Sequence, residues 1–354
     1  GVKVSDNKRG LNNLEADQTK DYDYCKDLRS KLMLVSGGSD TEEEQRVAVE
    51  RFVALLEAGE GIVEMLSRLQ DAGCLAHATE RFEYTFSDDA SVATARTKRS
   101  ELARSYDDWL KRIDELRARH YALNAFTIVE LTYLIRLGRT DGGAKAKDLN
   151  RTLALLQCVS KQATFDYARR FCDTVAANLP KDTVLGHEST GEALEAIGVL
   201  LTELAARETI TREDRGRSDI FSHFLKENQV NCLVGLTAEE TLSSILSIYK
   251  PNLPRSEQVV LCAETTTAET VKLLFRRCLS SDRRTFCLAD VQKLSYETQV
   301  SAVDEFERLH ALSQSGAEPC QFRLVLIAQQ EDTHLCTALK TYTVPKDGFD
   351  SETR

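Results

Sequence analysis

The sequence predicts a mainly α protein, a helical array followed by a partial three-layer α/β unit with a short parallel sheet. Three observations carry that prediction. Apolar residues recur at helical spacing through most of residues 41–250, with capping residues and glycines at the ends of the runs. The segment "KPNLPRSE" (250–257) then places Pro251 and Pro254 close together, which stops the last helix. Beyond it, continuous apolar runs alternate with amphipathic helices, the pattern of a parallel sheet covered on both faces.

The elements follow in order. Residues 1–40 form a polar, poorly ordered lead-in that closes at Gly37 and Gly38. Thr41 and Glu44 open a helix carrying Val49, Phe52, Val53, Leu56, Ile62, Val63, Leu66 and Leu69. Gly59 and Gly61 break or kink it, and Gly73 stops it. A helix over 97–120 carries the stripe Leu102, Tyr106, Trp109, Ile113 and Leu116, the spacing at which two helices pack. Arg104, Lys111, Arg112, Arg117 and Arg119 lie outside that stripe and read as a solvated face, with a docking surface for an acidic partner as the alternative. In "NAFTIVELTYLIRLG", Thr127 caps, Glu130 reaches back and Phe126 staples onto Leu131. Helices follow at 146–160, 162–178, 189–207, 218–227 and 237–249, with Ser189/Glu192 and Thr237/Glu240 as capping boxes. No strand is predicted before residue 250.

After the prolines come "VVLCA" (259–263), "TFCLA" (285–289) and "FRLVLIA" (322–328), separated by helices over 267–280 and 296–313. Thr266 with Glu269 caps the first of these helices and Ser295 opens the second. Three strands make the sheet look like half of a domain. The domain plan is therefore lead-in 1–40, helical linker 41–250, α/β unit 251–345 and tail 346–354.

The totals exclude several functions. A net charge of −10 argues against a general nucleic-acid binder, and no apolar run approaches the roughly 20 residues that cross a bilayer. Ten cysteines are scattered without a Cys-x-x-Cys pair, as in reduced proteins of the cytosol. The chain opens on Gly1 rather than methionine, which points to a piece of something longer.

Phosphate chemistry is missing where the order of elements invites it. No glycine is followed by lysine, so the chain has no P-loop, and "AETTTAE" (263–269) contains no glycine to form a backbone nest. "LVLIAQQED" has the apolar run of a magnesium-holding strand, but glutamines follow it. His334, Cys336 and Cys320 do not have the spacing of a zinc finger. No catalytic, cofactor-binding or metal-ligating residue is assigned.

"SEQVVLCAETTTAETVKLLFRRCL", "TFCLADVQKLSYETQVSAVDEFERL" and "FRLVLIAQQEDTH" resemble the start of the AAA core of the mysterin family, giant AAA+ RING-finger ubiquitin ligases. Upstream, "DDWLKRIDELRARHYALNAFTIVELTYL" resembles the helical linker that precedes this core. The resemblance runs from about 45 to 345 and implies a helical linker with a first, degenerate AAA unit, so the α/β unit becomes AAA-like. It implies a parent that transfers ubiquitin and hydrolyses ATP, with ATP, magnesium and zinc held in other parts. It also implies as partners the other AAA units, the ligase module and, through the parent, the ubiquitin-conjugating machinery. No family catalytic residue has a counterpart here, so the expected role is structural. Trp109, Ile113, Leu116 and Phe126 would dock helices; Thr127, Glu130, Thr266, Glu269 and Ser295 would start them. A stand-alone helical adaptor is the alternative. An enzyme acting near Glu264, Asp290 and Gln329, at the carboxyl ends of the strands, is a third reading.

Overall fold

A computed structural model describes residues 2–5, 10–13, 18–21, 27, 30–31, 43–74, 83–86, 89–138, 146–178, 187–206, 225–250, 253–280, 284–314, 321–330 and 332–344. The chain divides into two compact units, residues 1–116 with 176–195 and residues 117–175 with 196–354. Thr41, helix residues 218–224, Glu331 and the tail 346–354 lie outside the described residues.

The first unit contains strands where none was predicted. β1 (Val2–Ser5), β2 (Gly10–Asn13), β3 (Gln18–Asp21) and β4 (Glu83–Phe86) form an antiparallel sheet in the order β3-β2-β1-β4. Three of these strands fall within residues 1–40, which the sequence reads as a polar, poorly ordered lead-in. The strands are four residues each, too short for an alternating pattern to stand out. Val2 pairs with Phe86, so one of the three strand pairings is a contact distant in sequence.

α1 (Glu43–Asp71) runs unbroken through Gly59 and Gly61, against the expected kink. At Gly61 a Cβ would lie 2.7 Å from Cδ of Arg99, an exposed and flexible side chain that can move aside. Gly73 ends the helix as expected. Its φ is 74°, and Cys74 N–H reaches Leu69 O while Gly73 N–H reaches Gln70 O, each at 2.9 Å. That double bond pattern satisfies two terminal carbonyls and needs a left-handed residue.

α2 (Asp89–Arg119) begins earlier than predicted. Thr97 and Ser100 read as poor helix formers, but each hydroxyl donates to the carbonyl four residues back, Ala93 O and Arg96 O. Leu102, Trp109, Ile113 and Leu116 are all buried.

In the second unit, a 3-10 turn (Tyr121–Ala125) leads into α3 (Ile128–Gly138). α4 (Ala146–Val159), α5 (Phe165–Asn178) and α6 (His187–Ala206) follow along the chain, α5 and α6 each contributing residues to both units. α6 starts before Ser189, so the predicted Ser189/Glu192 box lies inside the helix. Gly198 on α6 meets the His120 ring, where a Cβ would sit 2.6 Å from Cγ. We expect opposite outcomes at two helical glycines. Gly198→Ala should destabilise by about 1–3 kcal/mol, because the buried ring has to move. Gly61→Ala should stabilise by up to about 1 kcal/mol, because exposed Arg99 swings away. Urea titrations of both variants check the signs.

The α/β unit has five parallel strands in the order β6-β7-β8-β5-β9. These are β5 (Gln229–Val234), β6 (Val259–Leu261), β7 (Thr285–Ala289), β8 (Arg323–Ala328) and β9 (Tyr342–Thr343). The helices α7 (Ala238–Tyr249), α8 (Ala268–Ser280), α9 (Tyr296–Gln314) and α10 (His334–Leu339) alternate with them. The sheet has five strands rather than the three read from the sequence, and its first strand precedes residue 251. β5 lies upstream of the prolines, and residues 225–228 are not helical. Asn231 concealed this strand. Its side chain is fully buried, accepts from Lys226 N–H at 2.8 Å and donates to Lys226 O at 3.0 Å. A polar residue breaks the apolar run, and only the folded chain supplies its partners.

Two apolar layers enclose the sheet. Val230, Cys232 and Val234 face α8, α9 and α10 on one side. Leu233 and Val325 face Ile245 and Ile248 of α7 on the other.

Candidate functional site

Open parallel sheets bind ligands at the carboxyl ends of their strands, beside the point where strand order reverses. Here β5, the first strand of the unit, lies between β8 and β9. The turn to examine for phosphate is therefore Val234-Gly235-Leu236-Thr237, which joins β5 to α7. It is not the threonine turn at 263–269 that the sequence singled out.

This turn is closed from within. Gly235 adopts a φ of 76° and its N–H donates to Ala328 O at 3.0 Å. Thr237 Oγ1 accepts from Glu240 N–H at 3.3 Å, and Glu240 Oε2 accepts from Thr237 N–H at 2.7 Å. The capping box uses donors that a phosphate would need, and Glu239 and Glu240 add two carboxylates to the first turn of α7. Both repel an anion.

The carboxyl end of β7 places Asp290 where a metal-holding carboxylate would stand. Asp290 is buried, with a φ of 57°. Its Oδ2 lies 2.6 Å from Lys293 Nζ, and its Oδ1 accepts from Gln292 Nε2 at 3.3 Å. Gln292 Oε1 in turn accepts from Gln329 N–H at 3.1 Å, linking the ends of β7 and β8. Asp290 and Gln329 are thus brought together through Gln292, while Glu264 stands exposed in the turn after β6. The Asp290 carboxylate is thus paired with Lys293, and the Gln292 amide is engaged with the backbone of Gln329. No cluster of three or more His, Cys, Asp or Glu with metal-binding geometry occurs among the described residues. His334 lies on α10, and Cys336 is buried in the core.

A second constellation joins the start of α3 to α8. Glu269, predicted to cap its own helix with Thr266, instead accepts from Arg117 Nη2 at 2.9 Å and from Ile128 N–H at 2.8 Å. Thr267 caps α8 in its place, accepting from Thr270 N–H at 3.3 Å, while Thr266 Oγ1 accepts from Ala263 N–H. In a run of three threonines the cap position is open to a one-residue shift. Burial pushes the Glu269 carboxyl above its ordinary range, and the Arg117 guanidinium and Ile128 N–H pull it only part of the way back.

Arg117, read as part of a solvated face, is buried and also donates to Leu123 O at 3.3 Å. Arg277 joins it from α8, donating to Glu257 O at 3.0 Å and Asn124 O at 2.6 Å. Asn124 Nδ2 closes the joint on Arg117 O at 3.1 Å. Sequence reasoning missed Arg117, Asn124 and Arg277, since nothing local distinguishes a buried arginine from an exposed one.

The remaining sequence-derived residues are local. Thr127 and Glu130 bond reciprocally at the start of α3, at 2.7 and 3.4 Å. Phe126 is buried beside that start, and Ser295 Oγ accepts from Thr298 N–H at 3.2 Å at the start of α9. Trp109 Nε1 donates to Ala72 O at 2.7 Å.

Comparison with known proteins agrees with this architecture. Residues 231–344 match the family model of the RNF213 AAA domain, a span that opens in β5 and closes after β9. The chain is similar to the mouse E3 ubiquitin-protein ligase RNF213, with 25% identity covering 94% of this chain and 7% of the relative. The human RNF213 ligase is 22% identical, covering 93% of this chain and 7% of the relative. The zebrafish ligase rnf213-beta is 31% identical over 34% of this chain and 2% of its own length. The chain thus spans a small part of these relatives. No described helix is long and apolar enough to cross a membrane.

Proposed function

We propose that this chain is a non-catalytic structural segment of an RNF213-like ubiquitin ligase, comprising a helical linker and an AAA unit that has lost nucleotide chemistry. The β5–α7 turn carries this reading. A phosphate would have to displace the Thr237–Glu240 box and approach two carboxylates, with no lysine following a glycine to offset them. Asp290, already paired with Lys293, supports the same conclusion for magnesium.

The role is mechanical. The joint of Arg117, Asn124, Glu269 and Arg277 fixes the start of α3 to α8, so that a displacement of either is passed to the other. ATP hydrolysis and ubiquitin transfer belong to other parts of the parent, where the further AAA units and the ligase module are the partners and zinc and ATP–magnesium are held. The eight described cysteines are free thiols, in keeping with a reducing cytosol.

Calorimetric titration of the chain with ATP and magnesium tests the proposal. We expect no saturable heat at ligand concentrations up to about 1 mM, the weak end of useful affinity. Saturable micromolar binding that disappears in Asp290→Ala would overturn it.

A further inference from the structure

β6 ends the parallel sheet among the described residues, on the side away from β9. Gln258 O accepts from Cys287 N–H at 2.8 Å, and Cys262 N–H donates to Ala289 O at 2.9 Å, so these positions face β7. Backbone groups alternate in direction along a strand, and those of Val259 and Leu261 therefore point outward from the sheet. The strand Val-Val-Leu carries neither a charge nor a proline, the residues that commonly keep an edge from pairing.

An apolar rim borders this edge on the side of α7. Val259 packs on the layer that holds Ile245 and Ile248, and Leu261, two residues on, lies on the same face of the sheet. Leu261 is nonetheless 59% exposed. Leu242, Leu246 and Tyr249 stand at i, i+4 and i+7, along one side of α7. The Tyr249 hydroxyl lies 3.0 Å from Thr285 O and 3.3 Å from Gln258 O, at the entries to β7 and β6. That contact turns this side of the helix toward the β6 edge, where Leu242 and Leu246 are exposed.

We propose that β6 pairs antiparallel with β6 of a second copy of this chain, joining the two sheets across a two-fold axis. An axis through Val260, normal to the sheet, sets Leu261 opposite Val259 of the other copy, so the outward backbone groups of both strands are satisfied. It also keeps the two α7 helices on one face, where Leu242, Leu246 and Leu261 of each copy close over the seam. Charge selects the same arrangement. Exposed Lys250 follows Tyr249 at the entry of the strand, and exposed Glu264 stands at its exit. Arg255 and Glu257, also at the entry, lie 3.9 Å from each other. An antiparallel copy brings Glu264 to the end that carries Lys250, whereas a parallel one would set like charge beside like.

Sedimentation equilibrium of the full chain tests this. We expect monomer to pass into dimer as concentration rises through about 10–100 μM, the affinity of a small interface. Leu261→Lys should weaken the dimer by about 10-fold or more, because it sets two ammonium groups beside the axis. The position is exposed, so the circular dichroism of this variant should match that of the parent chain. Lys250→Glu or Glu264→Lys alone should weaken the dimer by roughly 3- to 10-fold, and the two together should restore it. A chain that stays monomeric through this range would overturn the proposal and leave the edge to an extended segment of another protein. A dimer left intact by Leu261→Lys would overturn it equally, since it would form through a different surface.

Discussion

Trp109→Ala is expected to destabilise the first unit by about 4 kcal/mol, the upper part of the range for removing a buried aromatic side chain. The indole is 1% exposed and is the only tryptophan of the chain. Two losses combine in the variant. A cavity opens on α2 where the ring stood, and Ala72 O loses its donor at 2.7 Å. That carbonyl belongs to the residue before Gly73, at the left-handed end of α1, so the substitution also loosens the stop of the neighbouring helix. Trp109→Phe keeps most of the volume and drops only the donor, and we expect about 1–2 kcal/mol from it. Unfolding should be followed by circular dichroism, because the fluorescent reporter is the residue removed. A loss under 1 kcal/mol in Trp109→Ala would show that the ring is not the centre of this packing.

Arg117→Ala should cost about 2–3 kcal/mol, measured in the second unit. A fully buried ion pair broken on one side costs roughly 3–5 kcal/mol. Arg117 is buried, but the Glu269 side chain is 34% exposed, so water recovers part of the loss. What remains is a half-buried carboxylate without its cation, while Leu123 O keeps only its bond from Phe126 N–H. Glu269→Gln should cost less, because the amide oxygen still accepts from Ile128 N–H. The double variant Arg117→Ala/Glu269→Ala separates the pair from the packing of its members, with a coupling of about 1–2 kcal/mol expected. A coupling near zero would remove the ion pair from the proposed joint and leave Arg277 and Asn124 to carry it.

The comparison of sequence with structure turns on where each signal resides. Thr127/Glu130, Thr237/Glu240 and the stop at Gly73 were legible because a cap is a contact between residues three or four apart. The stripe from Leu102 to Leu116 was legible because burial on a helix repeats with its turn. β5 was not, because Asn231 interrupts its apolar run and finds its partners only in the fold. Missing β5 displaced the search for phosphate to the wrong turn. The absence of a glycine–lysine step was visible in the chain from the outset, whichever turn was searched.

The sequence alone thus determined the helices, their caps, the presence of a parallel sheet and the lack of a P-loop, all of which depend on residue type at short spacing. The tertiary structure decided the strand order, the antiparallel sheet of the first unit and the partners of Arg117, Glu269 and Asp290. These depend on which distant segments come into contact, and such contacts leave no periodic mark on the chain. A charged or thiol side chain carries the same letter in water and in the core; burial and the neighbour supplied by the fold determine what it does.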